Sequence, residues 1–249
     1  MNQAPVADNI LAIDIGGSHI KATIIDAQGA FQLNYESVKT PKNPDPAKVM
    51  EAIRELVKNF PPYAKVSVGF PGFVDKGVVI TAPNLGTGKW YGVNLQSRLE
   101  ELLSRPVHVM NDADMLGLGL ISGHGLEMVI TLGTGFGTAM FHHGVLMPHL
   151  EIGQHPFSSK NTYDSYIGAK ALEKEGAEKW NKRLKRVIAV LQTVFNYDHL
   201  YISGGNAEMI SFDLDKNITL VSAKQGLRGG ASLWVTALPA GEEAVLQEL

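Results

Sequence analysis

The sequence predicts an α/β fold in two lobes that face each other across a cleft, and three observations carry that expectation. The segments LAIDIGGSHIKATIID (11–26) and MVITLGTGFGTAMFHH (128–143) share one layout, a strand entering a glycine turn and a strand leaving it, and each heads one half of the chain. Amphipathic helix patterns alternate with buried-strand runs behind both. The 249 residues, 45% of them hydrophobic, can bury one large core or two modest ones of roughly 100 to 150 residues each. A plainer reading of the shared layout is two unrelated hairpins.

Residues 10–25 read as two β-rich runs joined at Gly16-Gly17, and AQG at 27–29 turns the chain into FQLNYES (31–37), which completes an antiparallel meander. Asp45 before Pro46 has the form of an N-cap followed by a helix-starting proline, with Met50, Ile53, Leu56 and Val57 at helical spacing behind it. VSVGF (66–70) is a buried-strand pattern and GVVI (77–80) a short strand. Leu95, Leu99, Leu102 and Leu103 mark a second amphipathic helix, and PVHVM (106–110) returns to strand and ends at Asn111-Asp112. In the second half, Leu184, Val187, Ile188, Leu191, Val194 and Phe195 recur at helical spacing, with Glu173, Glu178 and Lys182 ahead of them and Arg186 among them. That is a long helix with one buried face, and HLYISGG (199–205) is the strand after it. The expected lobes are 1–112 and 113–235, with the tail 236–249 packing back on the first.

Composition narrows the partners. A net charge of −3, from 22 basic and 25 acidic residues spread along the chain, leaves no electrostatic footprint for nucleic acid or an anionic membrane. With no cysteine, disulfides, thiolate metal sites and a catalytic thiol are excluded. MNQAPVADN (1–9) lacks a basic n-region, and no run approaches the ~18 apolar residues of a membrane span. The expectation is a cytoplasmic protein with small-molecule partners.

Glycines let backbone N–H groups approach an anion, because no Cβ keeps the ligand away. Gly16, Gly17 and Ser18 form one such turn, and Gly133, Thr134, Gly135 and Gly137 the other. Neither is a Walker loop, and GTGFG departs from the dinucleotide fingerprint. A tight hairpin explains either alone. Asp14, at the mouth of the first turn, either holds a metal through water or caps its own turn. Taken together, two glycine turns and an acidic residue suit a polyphosphate chain bound with Mg²⁺. Asp112, where a strand's C-terminal end opens into a crevice, is a candidate general base, with helix N-cap as the structural alternative.

The motif set resembles that of the ROK sugar kinases. Asp14-Ile-Gly-Gly-Ser-His-Ile-Lys21 is similar to their first phosphate motif, and Gly69-Phe-Pro-Gly72 with Ala82-Pro-Asn84-Leu85 to the following segment. Asn111-Asp112-Ala113 resembles the catalytic element, Leu132 to Gly137 the second phosphate motif, and Ile202-Ser-Gly204-Gly205-Asn206 the nucleotide-side motif. Within the family, TAPNLGTGKWYGVNL (81–95) and NDADMLGLG (111–119) are similar to the polyphosphate glucokinases. The resemblance implies an actin/hexokinase-like (ribonuclease H-like) ATPase fold and transfer of a phosphoryl group from ATP or polyphosphate, with Mg²⁺, to a hexose hydroxyl, glucose O6 above all. It also implies a homodimer.

On that resemblance Asp112 is the catalytic base, and Asn84 and Asn111 contact the sugar. Glu151-Ile-Gly153-Gln154 resembles the family's ExGH element, whose Glu and His bind sugar hydroxyls. Gln154 stands where the family has His, so either Gln154 or the adjacent His155 serves. Asp14, Gly16, Gly17, Ser18, Lys21, Gly133, Thr134, Gly135, Gly137, Gly204 and Gly205 fall on the phosphate and nucleotide side. The family's Cys-rich zinc site has no counterpart, and His142, His143, His149 and His155 read as surface histidines, so no zinc is expected. SAKQGLRGGAS (222–232) keeps only the small-residue character of the family's ending. Gln154 and this ending leave a degenerate, sugar-sensing relative as the alternative. A ROK repressor would need a DNA-binding domain ahead of the first motif, where this sequence has 10 residues before Leu11.

Overall fold

The computed structural model describes residues 8–235. The first glycine turn joins β1 (Ile10–Ile15) to β2 (His19–Ile25), in a register that sets Ile15 opposite Ile20 and Asp14 opposite Lys21. Asp26 then tightens the next turn by accepting from the N–H groups of Gln28 and Ala30, which delays pairing. The third run therefore forms ladder only as β3 (Glu36–Lys39), later than the expected 31–37. Helix α1 (Pro46–Val57) starts as its sequence predicts, with the Asp45 side chain accepting from Lys48 N. The chain continues through β4 (Lys65–Phe70), a small hairpin of β5 (Val74–Asp75) and β6 (Val78–Val79), then α2 (Thr87–Trp90), α3 (Leu95–Leu103) and β7 (Val107–Asn111). Helix α4 (Asp112–Leu118) follows directly.

The second half repeats the plan with β8 (Leu126–Leu132), β9 (Phe136–His142) and β10 (Val145–Leu146). After a small hairpin of β11 (Pro156–Ser158) and β12 (Asn161–Thr162) come α5 (Tyr163–Ile167), α6 (Ala169–Glu175), α7 (Ala177–Phe195), β13 (His199–Ser203) and β14 (Ile218–Leu220). The expected long helix is cut at Gly176, whose φ of +77° ends α6 before α7 begins, and Val194 in its last turn is exposed rather than buried. The two five-stranded sheets have orders β3-β2-β1-β4-β7 and β10-β9-β8-β13-β14. Each is an antiparallel meander extended by two parallel strands, so the likeness of the halves extends to their topology.

Apolar side chains of α1 and α3 cover one face of the first sheet, and α5 and α7 cover one face of the second. Trp90 and Trp180 are fully buried there, their ring N–H groups satisfied by Pro44 O at 2.9 Å and Ile167 O at 2.7 Å. Between the inner faces lies α4, packed on β4 and β7 from one sheet and on β8 and β9 from the other. The segment Ala223–Trp234, assigned by sequence to the second lobe, packs mainly on α4 and reaches β1 and β4 of the first sheet as well. Its Gly230 carbonyl accepts from buried Ser67 (2.6 Å), which in turn accepts from the Trp234 ring N–H (2.8 Å). The tail 236–249 lies outside the described residues. Among the described residues, no helix is long and apolar enough to cross a membrane.

Candidate active site

The two glycine turns meet. Ser18 Oγ and Thr134 Oγ1 are 3.1 Å apart, and a Cβ on Gly17 would lie 3.3 Å from the Thr134 side chain. Asn84 sits beside both, since a Cβ on Gly135 would come within 2.7 Å of its amide nitrogen. On the far side Gly204 takes φ +98° with Leu132 O against it, and Asn206 Nδ2 donates to Gly133 O at 3.0 Å, tying the β13 turn to the second glycine turn. These groups enclose a cavity of about 360 Å³. Of the site residues named from the sequence, all but His155 line it.

At the cavity floor, strand β7 hands over to α4. Asn111 supplies the N-cap, its Oδ1 accepting from Ala113 N (2.8 Å) and Asp114 N (3.2 Å), while its amide turns to Phe70 O and Gly72 O. Asp112 is thus not the cap, and Asn111 must give up a backbone partner to reach a hydroxyl. Asp112 approaches β4 closely: a Cβ on Gly69 would lie 3.2 Å from its Cα and 2.8 Å from Met115 Cε. Protein crowds the Asp112 carboxyl, although the residue lines the cavity and is only partly buried. Burial first, then the neighbouring Asp14, push it up to about 8, with Glu151 and Asp114 adding to the repulsion. At neutral pH a carboxyl in this range is mostly protonated, and the ionised fraction that can act as a base grows as pH rises toward 8.

Glu151 is held by Thr81, whose hydroxyl donates to Oε1 at 2.9 Å. Burial would raise the Glu151 carboxyl, but His149 and Thr81 outweigh it and hold it below the usual glutamate range. Gln154 faces the same cavity and donates to Asp164 Oδ2 at 2.8 Å, and Asp164 Oδ1 accepts from Phe136 N at 2.6 Å. Asp164 was missed in the sequence, while Asn206 and Thr81 were quoted there only as motif ends without a role. Asp164 follows the N-cap Thr162 of a five-residue helix and belongs to no motif; its acidity in a first turn was the one available signal. His155 points away from the cleft, toward Tyr163 on the opposite side of the 152–154 turn, so of the two candidates the cleft holds Gln154. His149 is no surface histidine: its side chain is 6% exposed, between Asp114 and Glu151.

Among the described residues, no three His, Asp or Glu side chains group to hold a metal ion. Asp14, 3.4 Å from Lys21 Nζ, flanks the first turn, and its carboxylate and that of Asp112 face the same cavity. One carboxylate, with phosphate oxygens and water completing the shell, is the usual protein share of a Mg²⁺ site. These residues fit an ion that enters with the phosphates.

Residues 10–155 match the ROK family. The chain is 35% identical to polyphosphate glucokinase of Mycobacterium leprae over 84% of its own length and 66% of that protein's, so it spans just under two thirds of that relative. It is 34% identical to polyphosphate glucokinase of Mycobacterium tuberculosis over 84% of its length and 80% of the relative's. The crystal structure of an inorganic polyphosphate/ATP-glucomannokinase from Arthrobacter sp. strain KM superposes with a TM-score of 0.82 at 29% identity, covering 91% of this chain and 98% of that one. A ROK family glucokinase from Streptomyces griseus shares the fold, with a TM-score of 0.76 at 20% identity over 90% and 98%. The profile match and the mycobacterial identities agree with the paired sheets and glycine turns: this chain belongs to the ROK family.

Proposed function

We propose that the protein is a sugar kinase that moves a phosphoryl group from ATP or polyphosphate to a hexose hydroxyl, the 6-hydroxyl of glucose first among them. The observation that carries the reading is the placement of Asp112 on the floor of a cavity walled by the two glycine turns. The names borne by the mycobacterial and Arthrobacter relatives support the donor and acceptor. Glu151 receives sugar hydroxyls as an acceptor of fixed geometry, with Gln154 and Asn84 beside it. Asp112 takes the proton of the attacking hydroxyl as its oxygen bonds to the transferred phosphorus and the bridging P–O bond breaks; ADP or a chain one phosphate shorter leaves. The N–H groups of the two glycine turns and Lys21 hold the donor's phosphate oxygens. Mg²⁺, held at Asp14 through water, would neutralise charge on the transferring group.

The choice of donor turns on charge. Lys182 on α7 pairs with Glu178, and Lys179 and Arg183 pair with Glu175, while Lys185 and Arg186 lie over Phe212 and Phe157. That helix face offers little free cation to a polyanion, which leaves Lys89 and Lys21, the latter paired with Asp14, as the basic approach. A coupled assay with a panel of hexoses and both donors tests the whole reading. Glucose turnover with ATP or polyphosphate is expected, and no turnover of any hexose with either donor would reject it. The same reading carries a cytoplasmic homodimer without nucleic-acid or membrane partners, and light scattering at working concentration checks the dimer.

A further inference from the structure

We propose that His149 is a positioning residue, a clamp that ties the helix presenting Asp112 to the carboxylate that receives the hexose. This rests on the kinase reading for its kinetic consequence but not for its geometry. Nδ1 of His149 is 2.9 Å from Asp114 Oδ2, in the first turn of α4 two residues after Asp112. Nε2 faces Glu151 Oε1 at 3.6 Å, an ion-pair contact too long for a hydrogen bond. The ring stacks on Phe73 of the first-lobe loop, with centroids 5.6 Å apart and planes 9° from parallel. Phe73 N donates to Thr81 Oγ1, and Thr81 donates to the same Glu151 oxygen. His149 and Thr81, one from each half of the chain, therefore meet on one carboxylate, with Asp114 and Phe73 behind them.

Two features separate this arrangement from an ordinary buried ion pair. Nε2 is buried without a hydrogen-bond partner among the described residues, and the polar atom it faces is on Glu151. A movement of about half an ångström by Glu151, as a ligand draws it, would complete that bond and satisfy both groups. The charged groups facing the ring are Asp114 from α4 and Glu151 from its own loop, while Phe73 is neutral. Burial alone would strip the ring of its proton, but the two carboxylates win and hold it up to about 9. The imidazolium then lies between two anions that otherwise repel each other and Asp112.

The clamp is tested first without substrate, by NMR titration of the His149 ring in the intact protein, assigned by its loss in His149→Gln. The ring should stay charged through neutral pH, with a midpoint at least about one unit above an ordinary histidine, and the midpoint should fall in Glu151→Gln. A midpoint at or below the ordinary value overturns the clamp, whether or not the protein phosphorylates sugar. In steady-state assays, His149→Gln keeps a neutral hydrogen bond to Asp114 and loses the charge toward Glu151. The hexose KM should rise about tenfold with kcat within about threefold, and the same substitution should add less than about twofold in a Glu151→Gln background. A wild-type KM in His149→Gln, or the full tenfold repeated in that background, overturns the proposal. If His149→Ala fails to fold, His149→Gln carries the test. Absence of hexose turnover in the unmutated protein rejects the kinase reading alone, and the titration still decides the clamp.

Discussion

Because burial and Asp14 push the Asp112 carboxyl up to about 8, the folded chain binds a proton there that the unfolded chain releases near its ordinary value of 3.8. Between those limits the folded state holds the extra proton, so this residue's contribution to stability falls as pH rises from about 4 to about 8. His149 acts with the same sign in a later window. Its stabilisation is complete below the unfolded value of 6.5 and is lost as pH climbs through about 9. Asp112→Asn removes the first effect, and a gain of about 1–3 kcal/mol at pH 8, discounted for the residue's partial exposure, should appear as a higher Tm than wild type. The same variant should lose about 10²- to 10⁴-fold in kcat with hexose binding retained, since an amide keeps the shape but takes no proton. A near-normal kcat would remove Asp112 from its role. In the wild type, kcat/KM should rise with pH toward 8 as Asp112 ionises, and a profile flat from pH 6 to 8 would contradict the raised carboxyl.

Among the elements, the tightest joint is that between α4 and the 223–234 segment. A Cβ on Gly229 would sit 1.7 Å from the Met115 carbonyl oxygen, a backbone atom that cannot step aside. Gly229→Ala should therefore cost about 1–3 kcal/mol through overpacking, read as a lower Tm, and should reduce kcat because α4 carries Asp112. A variant that melts and turns over like wild type would show the joint to be slack. This joint was invisible in the sequence, since Ser67 and Gly230 lie 163 residues apart and no periodicity links them. The elements with local signals were legible: the strands on either side of each glycine turn, the Asp45-Pro46 helix start and the leucine spacing of α3. Asp112, Glu151 and both glycine turns were legible as motif residues. Asp164 and His149 were not, because their roles come from partners brought near by folding and their local sequence is ordinary.

The molecule as a whole presents two halves with one sheet plan, and the cavity lies where their glycine turns touch across the Ser18–Thr134 contact. Such a cleft should admit sugar by opening and exclude water by closing. X-ray scattering should show the radius of gyration fall on addition of saturating hexose, and an unchanged value would argue for a rigid cleft. The crossing of 223–234 onto the first sheet also has a consequence for biogenesis. The strands it covers are synthesised well before their cover, so Ile10, Ala12 and Ile25 stay bare until residues 223–234 emerge. Exposed apolar sheet of this kind is where nascent chains aggregate or recruit chaperones. A chain ended at residue 222 should accumulate in inclusion bodies or bound to a chaperone, and adding residues 223–249 in trans as a peptide should recover soluble protein; a soluble, monodisperse truncation would show that the first sheet needs no late cover.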